Sequence, residues 1–180
     1  FSLYNHNMNG YNIIHSHDGA ADDQMALLLL VAQYKLLAVV LTPADSHAEP
    51  AEEMCKKILT ATNNWSVPLI VNNAHIPNPF PTEWRDESTA INKLIDVVID
   101  TRITTKHMSD LITIIEESEL PIIYIETGTL TTLATCLSIN PSIESKIKKI
   151  IWTGGSFDRP MLNPPHGCDG TQTYNSYSDP

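Results

Sequence analysis

The stretch His15-Ser-His-Asp-Gly-Ala-Ala-Asp-Asp23 joins two apolar runs, Tyr11-Asn-Ile-Ile14 and the segment that begins at Met25, and crowds Asp18, Asp22 and Asp23 into the turn between them. A short β-branched run, a glycine-bearing turn and a long apolar segment read as strand, turn and helix. Asp22 and Asp23 suit the start of that helix, where carboxylate oxygens satisfy free N–H groups and negative charge meets the positive end of the dipole. Asp18 lies upstream in the turn. Its carboxylate repels the other two unless positive charge sits among them, and a hard cation is the natural candidate.

Working outward, short β-branched runs recur at Tyr11–Ile14, Leu36–Leu41, Val67–Val71, Pro121–Ile125 and Lys149–Trp152, each expected to be a buried strand. Helical patterns fall between them at Asp22–Tyr34, Pro50–Thr62, Thr89–Asp100, Met108–Glu117, Leu130–Leu137 and Ser142–Lys148. The first is apolar nearly all round and is expected to be deeply buried; Pro50 suits a first turn. Strands alternating with helices imply a single α/β domain over residues 1–180, Rossmann-like, with a mostly parallel sheet covered by helices on both faces. Such sheets place their sites beyond the carboxyl ends of the strands.

Every expected strand end carries polar or glycine-rich chemistry. Asp18 to Asp23 follow the first, Thr42-Pro-Ala-Asp45 the second, Asn78-Pro-Phe-Pro-Thr-Glu-Trp84-Arg the third, Glu126-Thr127-Gly128 the fourth and Thr153-Gly-Gly155 the fifth. Each has an ordinary reading as a turn, a surface loop or a packing aromatic. Their convergence on one edge of one sheet points to a site instead. Dinucleotide and P-loop motifs are absent, as are a GxSxG elbow and an HExxH pair. Ala20 stands where a haloacid-dehalogenase-type phosphatase needs a second aspartate. Carboxylates without partner Cys or His ligands favour calcium or magnesium over zinc.

The 180 residues are 42% apolar, enough for a real core, and carry a net charge of −10. No basic cluster exceeds Lys56-Lys57 and Lys148-Lys149, which argues against a nucleic-acid or anionic-membrane partner. Cys55, Cys136 and Cys168 make neither a disulfide framework nor a CxxC site, so reduced thiols in a cytoplasmic protein are expected. The apolar run Met25–Ala32 is too short to span a bilayer, and no signal segment is visible.

His17-Asp-Gly-Ala-Ala-Asp-Asp-Gln-Met-Ala-Leu28 resembles the N-terminal aspartate cluster of the inosine/uridine-preferring nucleoside hydrolases. Thr42-Pro-Ala-Asp-Ser-His-Ala-Glu-Pro50, Thr127-Gly-Thr-Leu-Thr-Thr-Leu133, Ile151-Trp-Thr-Gly-Gly155, Tyr174-Asn175 and Asp179-Pro180 resemble later segments of that family, in the same order. Asn78–Arg85 is similar to a loop of its purine-specific branch. The resemblance implies a Ca²⁺-dependent hydrolysis of purine ribonucleosides to base and ribose, in nucleoside catabolism and purine salvage. It implies metal ligation by Asp18, Asp23 and the Thr127 carbonyl, with Asp18 also the general base. Asp22, Asp45 and Asn175 become substrate-binding positions, and Trp84 stacks on the base. A homo-oligomer, or association with a missing C-terminal half, is expected.

The chain departs from the family pattern at three positions. Ser16 replaces an aspartate of the usual Asp-x-Asp, Ala20 an asparagine, and Thr173 a ribose-binding glutamate. The family also continues beyond the Asp179-Pro180 position and supplies a further aspartate ligand there. The chain is therefore expected to be the N-terminal part, or one half, of such an enzyme; the alternatives are a catalytically inactive subunit of a larger assembly and a phosphatase or calcium-binding module unrelated to nucleosides.

Overall fold

A computed structural model describes residues 10–155 and 171–180. Six strands form one sheet: β1 (Asn12–His17), β2 (Leu36–Leu41), β3 (Leu69–Val71), β4 (Thr105–Lys106), β5 (Ile122–Glu126) and β6 (Ile147–Trp152). Their order is β4-β3-β2-β1-β5-β6, and every pairing is parallel. The chain runs outward from β1 to β4, then returns to lay β5 on the other side of β1. That reversal makes the carboxyl end of β1 a topological switch point.

Parallel strands covered on both faces read as continuous apolar runs, as β1, β2 and β5 do; the strand expected to be buried at Lys149–Trp152, β6, is instead an edge strand with Ile150 and Ile151 45% and 44% exposed. On one face Ile13, Val39 and Leu41 meet Leu27 and Val31 of α1 (Ala21–Gln33) and Met54, Cys55 and Ile58 of α2 (Ala48–Ala61). On the other, Ile14, Val40 and Tyr124 meet Leu111 and Ile115 of α4 (Met108–Glu116) and Leu133 and Cys136 of α5 (Thr131–Ile139). The remaining helices, α3 (Thr82–Ile91) and α6 (Tyr174–Ser178), lie in the segments that follow β3 and β6.

Several expectations are corrected. Helix α1 buries Leu27 and Val31, but Met25 and Leu29 on its outer side are each 58% exposed, because this helix forms a single layer over the sheet. The helix expected over Thr89–Asp100 is instead α3, which starts directly after Pro81 and gives way to one 3₁₀ turn at Asn92–Leu94. There the Asn92 side chain donates to the Pro50 carbonyl and Lys57 donates to the Asn92 carbonyl, so α2 captures the end of the helix. The Ser142–Lys148 helix is a 3₁₀ segment, Pro141–Lys146, and β6 begins at Ile147. β3 starts only after Pro68, and the two-residue β4 has no counterpart among the expected strands.

Candidate active site

The turn after β1 is built around one carboxylate. Asp23 Oδ2 accepts the backbone N–H groups of Asp18, Gly19 and Ala20, at 3.2, 3.1 and 3.2 Å. The third residue of α1 thus reaches back over its own first turn and caps donors the helix cannot satisfy. Gly19 has φ +90°, and a Cβ there would lie 2.5 Å from Ser46 Oγ and 2.7 Å from Ala51 Cβ, so only glycine fits. Ser46 donates to the Asp18 carbonyl at 2.6 Å, tying this turn to the one after β2.

A cavity of about 240 Å³ opens at the carboxyl ends of β1, β2, β5 and β6. Asp18, Asp22, Asp23 and Asp45 line it with Thr127, and Tyr174 and Asn175 close it from α6. Asp18 and Asp23 are buried, whereas Asp22 at the rim is exposed. Asp45 Oδ1 is buried with no hydrogen-bond partner. Asn175 donates both amide hydrogens at 2.8 Å, one to the Thr127 carbonyl and one to the Thr153 carbonyl, bridging the ends of β5 and β6.

The cavity concentrates carboxyl groups that resist ionising together. Burial, followed by the charges of Asp23 and Asp45, holds the Asp18 carboxyl well above the usual carboxylate range. Burial likewise raises Asp23, and pushes Asp45 up to about 8 with help from Asp23 and Asp22 and against the opposing charge of Arg85. Carboxyls held this far above their ordinary range within one cavity create a strong preference for a cation. Among the described residues no three Asp, Glu, His or Cys side chains form a metal cluster. Asp18 and Asp23 with the Thr127 carbonyl are an all-oxygen partial set suited to a hard cation, and the orphaned Asp45 oxygen leaves an acceptor for a ligand.

The other side of β1 is neutral. His15 and His17 stack with ring centroids 4.9 Å apart, and His17 Nε2 lies 3.5 Å from Cys55 Sγ. Burial lowers His15 to about 4 and, reinforced by His15, holds His17 well below its ordinary value. Cys55 is pushed up to about 12 by burial, so its thiol is inert. Cys55 and Cys136 are free and buried, and Cys168 lies outside the described residues.

Trp84 does not line the cavity. It stands in the first turn of α3, not on a loop, 47% exposed and edge-on to Phe80 at 5.5 Å; Phe80 packs on Tyr174 at 4.1 Å. The three rings run from the cavity wall to the surface. Tyr174, which sequence reasoning left without a role, is the aromatic at the cavity itself. Glu126 was also missed as a distinct group; its signal is a carboxylate closing the apolar run Ile122-Ile-Tyr-Ile125.

The family profile described as inosine-uridine preferring nucleoside hydrolase matches residues 13–180. The chain belongs to that family. A solved structure of an inosine-uridine preferring nucleoside hydrolase from Bacillus anthracis is 31% identical, with a TM-score of 0.83 over 94% of this chain and 59% of the Bacillus chain. A purine-preferring ribonucleoside hydrolase from Gardnerella vaginalis is 21% identical, with a TM-score of 0.64 over 81% of this chain and 49% of its own. An inosine-guanosine nucleoside hydrolase shares the fold at 18% identity and a TM-score of 0.71, over 94% of this chain and 56% of its own. The chain therefore spans 49–59% of the length of these proteins. No curated protein matches it. Among the described residues no helix is long and apolar enough to cross a membrane.

Proposed function

We propose that the protein containing this chain hydrolyses the N-glycosidic bond of ribonucleosides, with purine ribonucleosides preferred. The observation that carries the proposal is the buried carboxylate group of Asp18, Asp23 and Asp45 around one cavity at the switch point. A ribosyl group gains positive charge as its bond to the base breaks, and ionised carboxylates placed around it stabilise that charge. Water attacks C1′, the C1′–N bond breaks, and the departing base takes a proton.

Asp18, Asp23 and the Thr127 carbonyl would hold Ca²⁺. When bound, it lowers the pKa of a ligated water and orients ribose hydroxyls. Asp18 takes the proton from the attacking water. Asp22, Asp45 and Asn175 Oδ1 hold the ribose, Asn175 being fixed by its two bonds to strand-end carbonyls. The cavity is smaller than the ~300 Å³ lower range of ligand pockets, so it suits the sugar and leaves the base to project toward the rings of Tyr174, Phe80 and Trp84. A cytoplasmic, oligomeric enzyme completes the proposal.

A second reading, an inactive subunit, draws on two observations. Asp23 Oδ2 already accepts three backbone N–H groups, and the Thr127 carbonyl already accepts from Asn175. Both then serve the fold without a metal. Chromatography of base released from inosine and uridine by the full natural protein, with calcium and with chelator, separates the readings. Calcium-dependent release of hypoxanthine supports the enzyme; no release from any ribonucleoside supports the inactive subunit.

A further inference from the structure

Glu126 takes no part in the roles above, yet its side chain is 1% exposed at the heart of the site's support. It closes β5 in register with Ser16 of β1, on the face shared with Tyr124. Its Oε1 accepts the Gly128 N–H at 2.9 Å. The Thr127 N–H goes to the Ser16 carbonyl at 2.9 Å, and the Glu126 carbonyl accepts from Thr153 at 2.9 Å. A Cβ on Gly128 would lie 2.8 Å from the Asp18 nitrogen, so this turn rests directly on the Asp18 backbone. An apolar residue at 126 would fill the space without desolvating a carboxyl, but would leave the Gly128 N–H unsatisfied in the interior. The Glu126 carboxyl neighbours Ser16, which also neighbours Tyr124. These three buried atoms, Oε2, Ser16 Oγ and the Tyr124 hydroxyl, are outside hydrogen-bonding geometry.

We infer that Glu126 is a positioning residue: by clamping the Gly128 amide it fixes the Thr127 carbonyl against Asp18 and so sets the spacing of the two strand ends that frame the cavity. A glutamine keeps the acceptor for the Gly128 N–H and nearly the same shape. A leucine keeps the bulk and loses the clamp.

Only the functional arm of the test rests on the proposed nucleosidase reading. The full natural protein is compared with Glu126→Leu and Glu126→Gln by NMR hydrogen exchange at Gly128, calcium calorimetry, and kcat and KM for inosine. In Glu126→Leu the Gly128 amide should exchange about tenfold faster, the scale of one hydrogen bond, while the Ile14 amide at the centre of β1 is unchanged. Calcium affinity and kcat should fall together with KM less affected, and Glu126→Gln should restore all of them. Unchanged Gly128 exchange in Glu126→Leu overturns the inference, as does a Gln variant that exchanges as fast as the Leu variant. If Glu126→Leu does not fold, Glu126→Met takes its place: faster Gly128 exchange than in wild type and Glu126→Gln supports the clamp, and unchanged exchange overturns it. A wild-type protein that neither binds calcium nor cleaves inosine refutes the proposed function, while the exchange arm still decides Glu126.

Discussion

Gly128 lies against Asp18 with no room for a side chain: a Cβ would be 2.8 Å from the Asp18 nitrogen, 2.9 Å from its Cβ and 3.1 Å from the His17 carbonyl carbon. All three atoms belong to the central strand end and cannot swing aside. Gly128→Ala must therefore push β1 and β5 apart where they frame the cavity. Overpacking of this kind costs about 1–3 kcal/mol. Urea denaturation should show that loss, and a stability within error of wild type would mean that the strand ends are more compliant than this packing implies.

Asp18→Asn should separate stability from activity. The folded carboxyl is held above its unfolded value, so above the unfolded pKa the ionised side chain favours the unfolded chain, where it is solvated. Asparagine removes that charge and keeps an acceptor for the Ala20 N–H. Melting in the presence of chelator should rise, while calcium-dependent nucleoside hydrolysis by the full protein falls at least ~10²-fold, the lower range for a general base. A variant that melts lower than wild type in chelator would show that the Asp18 charge is already compensated by the fold.

The legible parts of this molecule are those where local signals agree. The unit of β1, turn and α1 combines a β-branched run, a glycine and acidic first-turn residues, and its strand, turn and helix form in that order, although β1 runs on to His17 where the sequence reading ended the strand at Ile14. Because the site gathers at strand ends, Asp18, Asp22, Asp23, Asp45 and Thr127 could be expected on one edge, Asn175 came only from the family resemblance, and all six line one cavity. What depended on distant partners was not legible. β4 has two residues and no periodicity to detect. The start of α3 turns on Pro81, and Trp84 is placed by Phe80, itself held by Tyr174 far along the chain. The Glu126 clamp requires knowing which face of β5 lies opposite Ser16, and only the β1–β5 register supplies that.

Acid should weaken the histidine pair. His15 is lowered to about 4 and His17 well below its ordinary value, both by burial. Both are neutral in the fold, whereas the unfolded chain takes up protons below about pH 6.5. Their stabilising contribution is therefore complete above pH 6.5 and is lost as pH falls toward 4, by roughly 3 kcal/mol for His15. The buried carboxyls shift stability in the opposite direction, so the test is a difference. The stability of wild type minus that of His15→Asn should shrink between pH 7 and pH 4.5. A difference independent of pH would mean that His15 takes up its proton as readily in the fold as in the unfolded chain.

The aromatic run from the cavity to the surface makes a graded prediction about base recognition. Tyr174 lines the cavity and packs on Phe80, and Trp84 meets Phe80 edge-on at the rim with nearly half its surface free. In the proposed reaction, a base projecting from a ribose held at Asp45 and Asn175 would meet Tyr174, which lines the cavity, before Trp84, which does not. Stacking on an aromatic ring is worth about 1–3 kcal/mol per base, and the two-ring purine extends farther along the run than the pyrimidine. In the full protein Tyr174→Ala should raise KM for inosine and uridine alike. Trp84→Ala should raise KM for inosine by up to about tenfold, the lower part of that stacking range, and leave uridine nearly unchanged. If Trp84 only packs the start of α3, its loss should lower the melting temperature and affect both nucleosides equally. Steady-state kinetics on the two substrates, paired with thermal denaturation of the same samples, decides between base contact and helix packing.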